Sequence, residues 1–271
     1  RDFEGVVCTP DAHINTHETG AVGACGRTVL PTHDGDGFLS VEEAERVWGF
    51  QTSCGRHMTR PTLVYITDST EFGGVWDRRR FDEVCDWAEG HGCKVYVDGA
   101  RLGAALESPA NDLSLGHMAS RADAFSIGGT KNGMLFGEAV VIRDPDLRRD
   151  FPYLQKMRGG LMAKGRLLGV QFEAAFEDGL YWRLARHADE CALALRDGLM
   201  AAGYEPYLRS DTNQQFFTVD AGLARALEDA CGCEIFLTLP DGRQVVRFVC
   251  SWATETADVA ELVAFCSEMP R

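Results

Sequence analysis

Long apolar runs are missing from this chain. The longest, such as Ala139-Val-Val-Ile142, fall far short of the roughly 20 residues that a membrane-spanning helix needs, and no amino-terminal run resembles a secretory signal. Positive charge is scarce as well. With 27 Lys and Arg against 41 Asp and Glu, the formal charge is −14 over 271 residues. Such a balance disfavours a broad basic surface for nucleic acid or anionic lipid and leaves small-molecule chemistry as the better expectation. Internal repeats and low-complexity stretches are lacking, and 45% hydrophobic with 25% charged residues excludes a disordered chain.

Cysteine is not scarce: there are ten. They are scattered among core-like positions from Cys8 to Cys266, a pattern expected of reduced thiols in a cytosolic protein and not of a disulfide framework. Cys231-Gly-Cys233 is the only close pair. Without a second pair or a nearby His it is a poor metal site, so no metal ligation is expected.

Strand-like and helix-like segments alternate through the first half. Ser40-Val-Glu-Glu43 has the form of a capping box opening a helix through Trp48. An apolar run, Leu63-Val-Tyr-Ile66, follows. An amphipathic helix from about Arg79 to Glu89 is stopped by Gly90 and Gly92, and strands are expected at Lys94 to Val97, Ala122 to Ile127 and Glu138 to Ile142. This order predicts a doubly wound α/β domain with a mostly parallel sheet over residues 1–175. Helical spacing then covers Leu161 to Phe176 and Tyr181 to Ala202. Strands at Phe216 to Val219, Glu234 to Leu237 and Val245 to Cys250, with helices near Gly222 to Ala230 and Ala257 to Ser267, predict a smaller α+β domain over residues 176–271.

Two charged residues close strand-like runs. Asp98 ends Lys94-Val-Tyr-Val-Asp98 before Gly99, and Lys131 follows Ala124-Phe-Ser-Ile-Gly-Gly-Thr130. Alone, each is ordinary: an Asp before Gly makes a turn, and a Lys in a Gly-rich loop is usually solvated. Together they match what pyridoxal 5′-phosphate chemistry needs, a lysine amine for the Schiff base and a carboxylate to keep the pyridine nitrogen protonated. His13, the Ser69-Thr70-Glu71 turn, Asp98 and Lys131 all fall at strand ends, where ligands of such sheets gather. Arg247 stands in an alternating apolar strand and is costly to bury unpaired.

The wording of these segments is specific. Ala12-His-Ile-Asn-Thr-His-Glu-Thr-Gly-Ala21, Thr62-Leu-Val-Tyr-Ile-Thr-Asp-Ser-Thr-Glu-Phe-Gly73, Asp98-Gly-Ala-Arg-Leu102, Gly128-Gly-Thr-Lys-Asn-Gly133, Gly159-Gly-Leu-Met-Ala-Lys-Gly-Arg166 and Val246-Arg-Phe-Val-Cys-Ser-Trp252 resemble, in collinear order, the threonine aldolases of the aromatic amino acid β-eliminating lyase family. The resemblance implies a fold type I, pyridoxal phosphate-dependent enzyme of the cytoplasm, assembled as a homodimer or homotetramer. It implies Lys131 as the Schiff-base lysine, Asp98 as partner of the pyridinium nitrogen, and His13 stacked on the pyridine face beside the substrate hydroxyl. Arg101 is expected at the substrate carboxylate or the cofactor oxygen and Arg247 at the substrate carboxylate. Lys164 or Arg166 is expected near the cofactor phosphate of a neighbouring subunit.

Glu71 departs from the many members that carry a second histidine there, which leaves the catalytic base open between His13 and Glu71. His17 and Glu18 are open between supporting and surface roles. Family members also begin with a helix, a strand and a Gly-Thr-x-x-Asn phosphate loop. Arg1-Asp-Phe-Glu-Gly-Val-Val-Cys8 resembles the strand after that loop, so weak cofactor binding and little activity are expected of the chain as given. The implied reaction is cleavage of threonine or allo-threonine to glycine and acetaldehyde. A pyridoxal phosphate-dependent β-elimination and a non-catalytic homologue are the rival readings.

Overall fold

Short strands buried on both faces, each followed by a helix, leave a chain little choice but a layered α/β sheet. The computed structural model describes residues 1–269. In chain order the first sheet and its helices run β1 (Glu4–Cys8), α1 (His13–Thr16), α2 (Ala21–Ala24), β2 (Thr28–Pro31), α3 (Val41–Thr52), β3 (Arg60–Thr67), α4 (Arg78–Gly90), β4 (Lys94–Asp98), α5 (Leu102–Glu107), α6 (Leu115–Arg121), β5 (Ala124–Gly128), β6 (Glu138–Ile142), α7 (Pro145–Met157) and α8 (Arg166–Phe176). The six strands are ordered β2-β1-β3-β4-β5-β6. Five are parallel, and β6 closes one edge antiparallel to β5.

The long α9 (Leu180–Ala201) leads into the smaller unit: β7 (Glu205–Pro206), β8 (Gln214–Val219), α10 (Ala221–Cys231), β9 (Glu234–Thr238), β10 (Gln244–Val249) and α11 (Thr256–Glu268). Its sheet, β7-β8-β10-β9, is antiparallel throughout. Leu195 and Leu199 of α9 pack with Phe217, Leu227, Val246 and Val259 in its core, together with Cys191, Cys233, Cys250 and Cys266. All ten cysteines are unpaired, seven of them buried and Cys25, Cys54 and Cys231 exposed.

The two units are stitched together near the strand ends. Ser108 Oγ donates to the Asp211 carbonyl at 2.7 Å, and Thr212 Oγ1 donates to the Gly73 carbonyl at 3.0 Å.

Two local expectations are corrected. Ser40 does accept the Glu43 amide (3.2 Å), but the Glu43 carboxylate binds the His33 amide and Arg46, because Asp34 already accepts the Ser40 amide. The cap is one-sided. The helix expected from Leu161 starts only at Arg166, since Lys164 takes a left-handed φ of 61° within the glycine-bearing 158–165 connection. The edge strand β2 gave no sequence signal of its own: it is four residues long and ends on Pro31, which an edge tolerates.

Candidate active site

Strands β1, β3, β4 and β5 all point the same way, so the segments after Cys8, Thr67, Asp98 and Gly128 meet at one sheet edge. They enclose an open cleft of about 190 Å³. His13, Glu71, Asp98, Arg101 and Lys131 line it, joined by three residues the sequence singled out weakly or not at all: Glu18, Thr67 and Glu138.

Asp98 is the last residue of β4, paired in register with Thr67 of β3. The Tyr65 hydroxyl donates to its Oδ2 at 2.5 Å, and the Ala100 amide donates to its Oδ1 at 2.9 Å. Tyr65 is buried and stacks on Tyr96 with ring centres 5.9 Å apart. Its phenol is pushed far above its ordinary range by burial and by the adjacent Asp98 charge, so it stays a donor. The carboxylate therefore has one orientation.

Lys131 sits in a single tight turn, Thr130–Asn132, after β5. The turn is pinned from α9: Asn132 Nδ2 donates to the Tyr181 carbonyl (2.8 Å) and the Tyr181 hydroxyl donates to the Gly128 carbonyl (2.9 Å). Gly128 is required by its protein neighbours. A Cβ there would lie 2.2 Å from the Ala100 carbonyl oxygen. Burial and the Arg101 charge push the Lys131 ammonium down from its ordinary value, against the opposing pull of Asp98 and Glu71.

Glu71 follows the buried Ser69-Thr70 turn. Burial raises its carboxyl above the usual range; His13 and Arg101 pull it back, while Asp98 and Asp11 add to the rise. His13 presents its ring to the cleft with Nδ1 bonded to Glu18 Oε1 at 2.6 Å, and His17 stacks on it at 5.1 Å. Glu18 thus orients His13, and His17 backs it from the exposed side. Glu138 opens β6 opposite Gly128, with its carboxyl raised by burial and then by Asp98.

Two expected residues stand apart from this group. Lys164 lies exposed on the connection between α7 and α8 and is not on the cleft wall. Arg247 of β10 ion-pairs with Glu234, donates from Nη1 to Gln214 Oε1 at 3.2 Å, and lies over the Phe236 ring. The half-buried cation thus has protein partners without any ligand, although its charge still reaches Arg101 and Lys131.

A fixed carboxylate, a lysine amine depressed toward neutrality and a histidine ring on one cleft suit a group with a basic ring nitrogen and an aldehyde. Pyridoxal phosphate fits that donor set. Tyr65 and Glu138 were missed by sequence reasoning. Tyr65 stands two residues before Thr67 on the same strand face, and Glu138 is the one charge opening an apolar strand.

The family model described as Beta-eliminating lyase matches residues 1–222. Over 97% of this chain and 76% of that protein, the sequence is 30% identical to a low specificity L-threonine aldolase of Pseudomonas sp.. It is also 30% identical to the low specificity L-threonine aldolase of Pseudomonas aeruginosa, over 97% and 75%. Among solved structures, a threonine aldolase of Leishmania major superposes with a TM-score of 0.94 at 37% identity, covering 98% of this chain and 77% of that one.

Proposed function

The chain belongs to the β-eliminating lyase family, and from that premise we propose that it is a pyridoxal phosphate-dependent aldolase cleaving a β-hydroxy-α-amino acid, threonine or allo-threonine, to glycine and an aldehyde. The observation that carries this reading is the pairing of Asp98 and Lys131 on one cleft in a fold matched at TM-score 0.94 by a threonine aldolase.

When bound, pyridoxal phosphate supplies an aldehyde for the amines and a ring that takes up electrons released at the substrate Cα. The protein supplies the rest. Lys131, whose ammonium burial and Arg101 push down from its ordinary value, would hold the cofactor through its amine. Asp98, clamped by Tyr65 and Ala100, holds the proton on the ring nitrogen. His13, oriented by Glu18, would help hold the cofactor from the cleft wall. Glu71, whose carboxyl burial raises, is the base that accepts the β-hydroxyl proton.

Arg101 and Arg247 take the substrate carboxylate, a bidentate match for a guanidinium. For Arg247 this requires exchanging its Glu234 partner for the substrate.

We assign the protein a homo-oligomeric state and a cytoplasmic location. Leu135, Tyr153 and Met157 are 85%, 78% and 66% exposed, a cost that contact with a second copy would remove. Lys164, on the adjoining connection, would then reach a neighbour's cofactor phosphate. No helix among the described residues is long and apolar enough to cross a membrane.

The family description also covers β-elimination, and the products separate the two. With threonine as substrate, glycine and acetaldehyde in equal amounts support the aldolase reading. Ammonia with a 2-oxo acid would replace it by elimination.

A further inference from the structure

Cys231 and Cys233 have no part in the chemistry above, yet they are placed as a pair. Cys231 ends α10, Gly232 turns the chain with φ 68°, and Cys233 leads into β9. Two residues one apart have Cα atoms no more than about 7 Å from each other, and a left-handed residue between them shortens that span into the disulfide range of roughly 4.4–6.8 Å. Cys231 is exposed and Cys233 buried. Both line an open pocket of about 310 Å³ beside Glu234 and Arg247. Among the described residues no group of three or more His, Cys, Asp or Glu side chains could hold a metal ion.

We propose that Cys231-Gly232-Cys233 is a redox-active dithiol that closes to a disulfide by exchange with a low-molecular-weight disulfide, and that closure acts on Arg247 through Glu234. Cys231 attacks. Its thiol is exposed, donates to the Leu227 carbonyl at 2.9 Å in the reduced form, and is held below the ordinary thiol range by the neighbouring Cys233. The Cys231 sulfur forms a bond to one sulfur of the small disulfide, whose own S–S bond breaks and releases one thiolate. The Cys233 thiol then gives its proton to solvent and attacks the Cys231 sulfur, and a second thiolate leaves. The protein has lost two hydrogens and one small disulfide has become two thiols.

The consequence follows from chain continuity. Glu234 is the residue after Cys233 and faces Arg247 across the β9–β10 register. Drawing Cys233 toward Cys231 moves the first residue of β9, and with it the carboxylate that competes with substrate for Arg247. This second step rests on the reading of Arg247 as a carboxylate holder.

Equilibrating the reduced holoprotein with glutathione mixtures tests it. Trypsin leaves residues 226–243 as one peptide containing these two cysteines and no other. At a tenfold excess of oxidised over reduced glutathione, that peptide should lose two hydrogens, and Cys231→Ser should abolish the change. A peptide that stays reduced, a stable single glutathione adduct, or a bond to another cysteine would overturn the dithiol. On closure, KM for the amino acid should shift about two- to fivefold at constant kcat, the scale of a half-exposed ion pair, with no shift in Cys231→Ser. An unchanged KM overturns the link to Arg247. If Arg247→Lys itself keeps the original KM, the fault lies in the reading of Arg247, and the disulfide result stands separately.

Discussion

The Tyr65 hydroxyl donates to Asp98 Oδ2 at 2.5 Å from the neighbouring strand. With the Ala100 amide on the other oxygen, it fixes the carboxylate plane at the end of β4 before any cofactor arrives. Preorganisation of this kind removes the cost of ordering the group on binding.

Asp98→Asn keeps the shape and loses the charge. It should cost at least about a hundredfold in kcat/KM, since a charge-assisted contact worth about 3 kcal/mol corresponds to that factor. Tyr65→Phe, which leaves the carboxylate in place but unclamped, should weaken cofactor affinity by about tenfold. Steady-state kinetics read the first effect, and absorbance titration of the cofactor into each variant reads affinity. Equal affinity in all three proteins would show that the clamp has no role.

The acid limb of the kcat/KM profile should report Glu71. Burial raises its carboxyl, and a base works only when deprotonated, so activity should climb with pH through a value above that of an ordinary glutamate. Glu71→Gln should lower kcat by about a hundredfold or more and abolish that limb. A normal rate in Glu71→Gln, with the loss appearing in His13→Phe instead, would assign the base to His13.

Stability should fall as pH rises. Asp68 and Asp189 are buried with no hydrogen-bond partner on either oxygen, and burial pushes them up to about 8 and about 9. The folded protein therefore holds protons that the unfolded chain releases near pH 4. The stability these two groups contribute is fully present below that pH and is lost progressively as pH rises to about 8 to 9. Asp189→Asn should flatten the slope and gain about 2 kcal/mol at pH 8. Denaturant melts at pH 5 and pH 8 measure it, and a variant with an unaltered slope would contradict the assignment.

Assembly should depend on the apolar surface of β6 and α7. Sedimentation should find dimers or tetramers, and Tyr153→Glu should shift them toward monomer. Oligomers indifferent to that charge would place the interface elsewhere.

The large-domain sheet was readable because its strands are continuous apolar runs ending in turn residues: β4 and β6 begin and end within a residue of where the sequence puts them. Asp98 and Lys131 were readable because each closes such a run. Tyr65 was not, since a tyrosine inside a buried strand looks like core until the register sets it beside Asp98. The start of α8 was hidden because the helical spacing of Leu161 and Met162 continues through a segment whose glycines and left-handed Lys164 break the backbone. The partners of Arg247 come from two other strands, Gln214 on β8 and Glu234 on β9. Pairings of that kind exist only after the small sheet has formed.

The central claim is that the Lys131 amine carries the cofactor on the cleft that Asp98 closes. Borohydride reduction of the cofactor-loaded protein, followed by peptide mapping, tests it directly. The account predicts the pyridoxyl group on Lys131 and none on Lys131→Ala. A label on Lys94, Lys156 or Lys164 in the unaltered protein would contradict it.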